Sequence, residues 1–249
     1  MNRFSFLNIF ALFLAVLLTP TSRASDAVQT PVRIVIVGDS TVCDYPAAHT
    51  NRGWGQYIGE HFKDGSVKVI NLAAAGRSTK TFIQEGRWKT ALGEQPDYVL
   101  IQFGHNDSHA PNLPEATDAA TDYKDNLRRY IDESRAIGAT PILVTPMVRR
   151  SFDAAGKITD SQPPPGRNLS SYANAMKEVA NEQKVSVIDL YASSKELAEK
   201  LGPVSSAAMA NKKGDNTHFN EKGARAMADL VMEELPAVEP KLKEYLKTP

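Results

Sequence analysis

The sequence predicts one α/β domain, a doubly wound three-layer sandwich around a mainly five-stranded parallel sheet. Short runs of Val, Ile and Leu recur along the chain without strict polar alternation, which is typical of strands buried on both faces of a parallel sheet. Segments with apolar residues at helical spacing separate these runs, and this alternation is the pattern of βαβ units. With 249 residues and 42% hydrophobic content, the chain can bury a substantial core.

Five apolar runs are the predicted strands. Each is short and rich in Val, Ile or Leu, and right-handed crossovers between them would give a flavodoxin-like sheet with helices on both faces. The runs are Val32–Val37, Val67–Asn71, Tyr98–Phe103, Pro141–Thr145 and Val185–Leu190.

Four segments are predicted to be helical because their apolar residues repeat at intervals of three and four. The clearest is Asp118–Ile137, which Gly138 closes, since glycine commonly ends a helix. The other segments are Gly53–Phe62, a stretch around Tyr172–Val179 and a stretch around Ala224–Val231 that ends before Pro236.

Two stretches fit neither pattern and are predicted to be long loops. Ser108–Thr117 follows the third predicted strand, and Arg149–Ser170, with the run Pro163-Pro164-Pro165-Gly166, follows the fourth. Ligands of open α/β sheets bind at the carboxyl ends of the strands, and long loops there are more often functional than loops elsewhere. A merely variable surface loop is the alternative.

Residues 1–24 have the plan of a secretory signal peptide. A basic start precedes the apolar run Phe6–Leu18, and small residues follow it. A run of 13 residues is shorter than the roughly 20 that a bilayer-spanning helix needs. We therefore expect cleavage after Ala24, with Ala27 as the alternative, a hydrolase domain over residues 25–249, and a secreted or periplasmic location.

The charge balance argues against a nucleic-acid or membrane-surface partner. The chain has 29 basic and 29 acidic side chains, and loss of Arg3 and Arg23 with the leader would leave 27 against 29. Nucleic acids and anionic membranes attract proteins with a basic excess. Cys43 is the only cysteine, so no internal disulfide can form, and it is expected to be a small apolar residue beside a turn.

Four polar turns follow predicted strands or precede the last predicted helix. In a doubly wound sheet they share one edge, so residues nearly 180 positions apart can converge. The turns are Gly38-Asp39-Ser40-Thr41, the stretch 71–78 with its Gly76, Gly104-His105-Asn106-Asp107, and Asp215-Asn216-Thr217-His218-Phe219.

These turns contain the groups that acyl transfer requires. Ser40 is the candidate nucleophile, His218 the candidate base, and Asp215 the carboxylate that orients the imidazole. The N–H groups of Ser40 and Gly76 and the side-chain amide of Asn106 are candidate donors to the oxyanion. Gly38-Asp39-Ser40 alone would more often be a simple turn, and its partners favour the catalytic interpretation.

The motifs, taken in order, resemble the SGNH or GDSL-type hydrolases, and within them the rhamnogalacturonan acetylesterases. That resemblance implies an esterase that removes acetyl groups from pectin, with the triad and oxyanion donors at the positions just named and with no metal or other cofactor. The matching stretches are GDSTV at 38–42, RGWGQ at 52–56, NLAAAGRSTKTF at 71–82, EGRW at 85–88, FGHND at 103–107 and DNTHFN at 215–220.

Three further residues are candidate substrate contacts: Arg77, Trp88 and His105. Trp88 could equally belong to the core, and His105 could instead support the loop of its neighbour Asn106. Asp39 and Asp107 are expected to fix their own turns by hydrogen bonds. Further rim candidates for an acidic polysaccharide are the arginines at 149, 150 and 167.

The sequence thus predicts a secreted carbohydrate esterase that acts on an acetylated polysaccharide or oligosaccharide, without stable membrane insertion after leader cleavage. The alternatives are an acetylesterase for another polysaccharide such as xylan, and a short-chain lipase or thioesterase. A carbohydrate-binding protein on an inactive hydrolase scaffold is the non-enzymatic alternative, although neither nucleophile nor base is missing.

Overall fold

Five parallel strands form the central sheet. The computed structural model describes residue 1, residues 30–160 and residues 167–247. The strands are β1 (Val32–Gly38), β2 (Val67–Asn71), β3 (Tyr98–Gln102), β4 (Thr140–Val144) and β5 (Ser186–Ile188). Their spatial order is β2-β1-β3-β4-β5, and all four neighbouring pairs are parallel. The predicted fold class is confirmed.

Helices cover both faces of the sheet. They are α1 (Thr79–Gln84), α2 (Arg87–Gly93), α3 (Asp122–Ala136), α4 (Leu169–Gln183), α5 (Leu190–Ala207) and α6 (Glu221–Val238). Side chains alternate between two cores along β1, with Ile34 and Ile36 facing α6 and Val35 and Val37 facing α1–α4. Burial of each such side chain contributes about 1.5–3 kcal/mol, so the sheet holds both helical layers.

Two helix predictions were wrong in detail. The stretch Gly53–Phe62 forms two short 3₁₀ turns, Trp54–Gln56 and Ile58–His61, because its first N–H groups bond to the carbonyls of Thr41 and Val42 rather than building a helix. The last helix does not stop before Pro236 but runs on to Val238, so Pro236 lies within its last turn.

Some predicted segments fall outside the described part of the chain. They are the predicted signal peptide beyond residue 1 and the run Pro163–Gly166. In the described ranges, no helix combines the length and the hydrophobicity needed to cross a bilayer.

Chain connectivity brings the four polar turns to one edge of the sheet. Three of them follow β1, β2 and β3, which are neighbours in the sheet. The fourth directly precedes α6, and an isolated antiparallel bridge between Arg52 and Phe219 attaches it to the loop after β1. The carboxyl edge of the sheet therefore carries the candidate site, as expected for an open α/β fold.

Candidate active site

Ser40, His218 and Asp215 form a continuous chain of side-chain contacts. The Oγ of Ser40 lies 3.0 Å from Nε2 of His218, and Nδ1 of His218 lies 3.0 Å from Oδ2 of Asp215. The other oxygen of Asp215 accepts the main-chain N–H bonds of Thr217 at 2.9 Å and His218 at 2.8 Å. A carboxylate facing Nδ1 favours the tautomer with the proton there, which leaves Nε2 to accept the proton of Ser40.

The carboxylate of Asp215 is held in its charged form. Partial burial alone would raise its pKa, but the bonds from the main-chain N–H groups of His218 and Thr217 outweigh that effect and lower the pKa below its ordinary value. An ionised Asp215 can therefore stabilise positive charge on the imidazole of His218.

The turn that carries Ser40 is fixed by its neighbours. A Cβ on Gly38 would lie 2.7 Å from a main-chain oxygen of β3, so only glycine fits at the end of β1. Oδ1 of Asp39 accepts the N–H of Thr41 at 2.8 Å and its hydroxyl at 2.7 Å, as expected. The phenol of Tyr45 donates to the carbonyl of Ser40 at 2.9 Å.

Gly76 and Asn106 belong to turns that are bonded to each other. The side-chain amide of Asn106 donates to the carbonyl of Arg77 at 3.0 Å. Gly76 has a φ of +78°, a conformation that favours glycine. Asp107 accepts bonds from both the N–H and the hydroxyl of Thr79, so it connects two turns rather than only fixing its own.

The candidate oxyanion donors are available for a ligand. Among the described residues, the N–H groups of Ser40 and Gly76 donate to no acceptor in the chain. The amide of Asn106 has two N–H donors, and one of them is directed to Arg77. Up to three donors can therefore serve a negatively charged oxygen.

Asp107, the residue after Asn106, is completely buried. Burial raises its pKa to about 7, against the opposing effect of the bonds from Thr79 and Thr117. The protonation of this carboxyl group therefore changes close to neutral pH.

His105 lies beneath the site and does not reach its surface. Its side chain is 4% exposed, and its Nδ1 lies 3.4 Å from Oδ2 of Asp39. Within the described part of the chain neither ring nitrogen makes a hydrogen bond. Burial lowers the pKa of His105, against the pull of Asp39. The predicted substrate contact is thus wrong, and His105 supports the turn instead.

Trp88 belongs to the core, which corrects its predicted contact with substrate. It is 2% exposed, and its indole N–H donates to Oε2 of Glu133 at 2.7 Å. Its ring packs edge-on against Tyr130 with the ring centroids 4.7 Å apart. A side chain that is almost fully buried, with its N–H bonded in the interior, has no exposed face on which a sugar could stack.

Arg150 supports the turn of the triad, a role that sequence reasoning missed. Its Nη2 donates to the carbonyls of Asp215 at 3.1 Å and His218 at 2.7 Å, and its guanidinium lies 4.2 Å from the ring centre of Phe219. Burial lowers its pKa to about 10. The sequence placed Arg150 on a rim loop, and no local pattern shows that the side chain turns inward.

The other rim arginines divide into two groups. Arg149 and Arg167 donate to main-chain carbonyls of the loop after β3, whereas Arg77 is 35% exposed and paired with Glu85. Contact of Arg77 with substrate stays a prediction. In the described ranges, no three His, Cys, Asp or Glu side chains lie close enough to hold a metal ion.

Fold and site together define a serine ester hydrolase with an α/β sandwich. Comparison with known proteins gives the family: over residues 36–226, the chain matches and belongs to the GDSL-like lipase/acylhydrolase family. It is 39% identical to rhamnogalacturonan acetylesterase RhgT of Bacillus subtilis strain 168 across 232 residues, which cover 87% of this chain and 94% of that protein. The chain is therefore an ester hydrolase of this family.

Two further relatives extend the comparison. The crystal structure of YxiM from Bacillus subtilis superimposes with a TM-score of 0.72 at 28% identity, over 84% of this chain and 57% of that one. An acetylxylan esterase of Geobacillus stearothermophilus is 25% identical over 174 residues, 68% of this chain and 72% of that protein. Enzymes named for two different polysaccharides are thus similar to this chain.

Proposed function

We propose that this protein is a secreted or periplasmic enzyme that removes O-acetyl groups from rhamnogalacturonan through an acetyl-enzyme on Ser40. The observation that carries the proposal is the contact chain from Ser40 through His218 to Asp215. The similarity to RhgT over most of both chains supports the choice of polysaccharide. The apolar leader-like start of the sequence supports export.

In the first half of the reaction, Oγ of Ser40 attacks the carbonyl carbon of the acetyl ester while Nε2 of His218 takes the serine proton. The carbonyl oxygen becomes an oxyanion, which the N–H groups of Ser40 and Gly76 and the amide of Asn106 stabilise. The bond between the carbonyl carbon and the sugar oxygen then breaks. The imidazolium of His218 gives its proton to that oxygen, and the sugar leaves as an alcohol.

In the second half, water replaces the sugar as the attacking group. His218 removes a proton from the water as it adds to the acetyl carbon of the acyl-enzyme, and a second oxyanion forms in the same place. When it collapses, the bond to Oγ breaks and His218 returns the proton to Ser40. Acetic acid leaves and loses its proton to solvent, and the enzyme is restored without a net change in its protonation.

The experiment is acetate release from acetylated rhamnogalacturonan, acetylated xylan and acetylated homogalacturonan, measured side by side with Ser40→Ala as the control. We expect release mainly from rhamnogalacturonan and none above background with Ser40→Ala. Release mainly from xylan would keep the chemistry but overturn the proposed polysaccharide. Equal release by wild type and Ser40→Ala would overturn the nucleophile.

Two further measurements separate the remaining alternatives. A lipase or thioesterase would hydrolyse p-nitrophenyl octanoate faster than the acetate, whereas we expect the reverse. For the location, the amino terminus of the full chain expressed in a secreting host should begin at Ser25 after export. Recovery of the intact leader in the cell extract alone would contradict the proposed export.

A further inference from the structure

The guanidinium of Arg77 lies directly beside the proposed oxyanion hole. Its Nη1 donates to the carbonyl of Ala75 at 2.8 Å, so the side chain folds back over the turn that contains Gly76. The main-chain carbonyl of Arg77 accepts a hydrogen bond from the side-chain amide of Asn106 at 3.0 Å. Apart from the neighbouring residues Ala75 and Arg77, no described atom lies within 4 Å of a Cβ placed on Gly76, so no other segment covers this side of the turn.

Arg77 is part of a small ionic cluster with a surplus of positive charge. Its Nε donates to Glu85 at 3.0 and 3.2 Å, and Nε of Arg87 donates to the same carboxylate at 2.6 Å. The bonds from Arg87 and Arg77 lower the pKa of Glu85. Two guanidinium groups thus share one carboxylate, which leaves a net charge of +1.

The two arginines of this cluster also have N–H groups that are not hydrogen-bonded within the described part of the chain. Among the described residues, Nη2 of Arg77 and both Nη atoms of Arg87 donate to no acceptor. The side chains of Arg77 and Arg87 are 35% and 41% exposed. Arg149 and Arg150, by contrast, bond to main-chain carbonyls through Nη2, and Nη1 of each is buried without a partner in the described part of the chain.

These contacts hold Arg77 in one position before any ligand binds. Its carbonyl, Nε and Nη1 are each bonded, so Nη2 has a fixed place and little rotamer freedom is lost on binding. Guanidinium groups match carboxylates in charge and planar geometry. An acetylated galacturonic sugar carries such a carboxylate on the same ring as its hydroxyls, whereas xylose has none.

We infer that Arg77, held in place by Glu85 and Arg87, binds a carboxylate of the substrate and makes the enzyme selective for acetyl esters on acidic sugars. The inference rests on the proposed function of the adjacent site, and it names the group on the sugar that the rim recognises. It also gives a physical reason for a preference of rhamnogalacturonan over xylan.

The test compares one acetylated galacturonide in two forms, with its carboxylate free and with the carboxylate methyl-esterified. The ratio of kcat/KM for the two forms reports carboxylate recognition and cancels any general loss of activity. We expect wild type to favour the free form about tenfold, since exposed charge-assisted bonds have modest strength. In Arg77→Gln the ratio should fall to about one, while Arg77→Lys should retain part of it.

Arg128→Gln is the matched control. The side chain of Arg128 is 34% exposed and paired with Glu182, much as Arg77 is paired with Glu85, but it joins α3 to α4 away from the site. The control should keep the wild-type ratio. Added salt should reduce the wild-type preference because it screens exposed charges, and it should leave Arg77→Gln unchanged.

A second readout does not depend on the polysaccharide. Methyl galacturonide should inhibit wild-type hydrolysis of p-nitrophenyl acetate competitively and more strongly than methyl galactoside, and Arg77→Gln should lose that difference. Equal inhibition by both sugars in wild type, or an unchanged ratio in Arg77→Gln, would overturn the inference. If wild type discriminates between these sugars but releases no acetate from rhamnogalacturonan, the polysaccharide proposal fails while the carboxylate site stands.

Discussion

The buried pair of Asp39 and His105 predicts a pH-dependent loss of stability when the imidazole is removed. Asp39 directly precedes Ser40 and His105 directly precedes Asn106, so the pair lies between the nucleophile turn and the amide turn. Nδ1 of His105 faces Oδ2 of Asp39 at 3.4 Å, and both side chains are almost fully buried. His105→Leu would leave that carboxylate oxygen buried without a polar neighbour.

Burial lowers the pKa of His105 and favours its neutral form, so the relevant cost is that of leaving a buried polar group without a partner, roughly 1–3 kcal/mol. We expect a loss of about 1–2 kcal/mol, in the lower part of that range, because Oδ1 of Asp39 keeps both bonds from Thr41. In the variant the folded-state pKa of Asp39 rises above the unfolded value of about 3.9. The free-energy cost of burying the charged Asp39 carboxylate is therefore absent below about pH 4, where the carboxyl group is neutral, and it grows as the pH rises through the new folded-state pKa.

Urea unfolding of wild type and His105→Leu between pH 4.5 and 8 measures this difference. His105→Asn is the matched variant, because its amide can place a donor near the position of Nδ1 and should recover part of the loss. We also expect kcat of His105→Leu to fall, since displacements of about 1 Å at a reacting group can cost on the order of 100-fold. A stability loss that is the same at every pH would refute the electrostatic reasoning and leave only a packing role.

Three other substitutions test the site and its support. Asp215→Asn puts an amide donor opposite Nδ1 of His218 and so favours the tautomer with the proton on Nε2, which cannot accept the proton of Ser40. It should lower kcat on p-nitrophenyl acetate by about 10³–10⁴-fold. A loss below tenfold would contradict the triad. The free energy of unfolding of the wild type should fall as the pH rises from about 4 to 7, by up to roughly 1.4 kcal/mol per pH unit, because folded Asp107 keeps its proton up to about pH 7. In urea unfolding, Asp107→Asn should lack this dependence of stability on pH. An unchanged pH dependence in Asp107→Asn would assign the effect to another group. Trp88→Phe loses the bond to Glu133 and should lower stability by about 1–2 kcal/mol with KM on polysaccharide unchanged; a raised KM with unchanged stability would restore the sugar-contact interpretation.

The strands and the polar turns were predictable because their signals are local. Apolar runs such as Val32–Val37 have the composition of a buried parallel strand, and the structure places β1 within one residue of that prediction. Helices α1, α2 and α5 were missed. Helices α1 and α2 have only six and seven residues, which is too short for a helical repeat to stand out. Helix α5 is longer, but Gly202 and Pro203 interrupt it, and Gly202 has non-helical φ and ψ angles.

The missed and misassigned site residues have a different cause. Arg150, His105 and Trp88 are types that occur both on surfaces and in interiors, and neighbouring residues do not settle which. The bond from Arg150 to the carbonyl of His218 spans 68 positions, and that from Trp88 to Glu133 spans 45. Such contacts leave no local trace in a single sequence.

The sequence by itself determined the five strands, three of the long helices and the residues able to carry out acyl transfer, because hydrophobic periodicity and side-chain chemistry are properties of short segments. Only the tertiary structure decided which of those side chains face a ligand and which lie beneath the site. Burial and pairing depend on how distant segments pack, and that packing put His105 against Asp39 below the nucleophile and left Arg77 at the open rim.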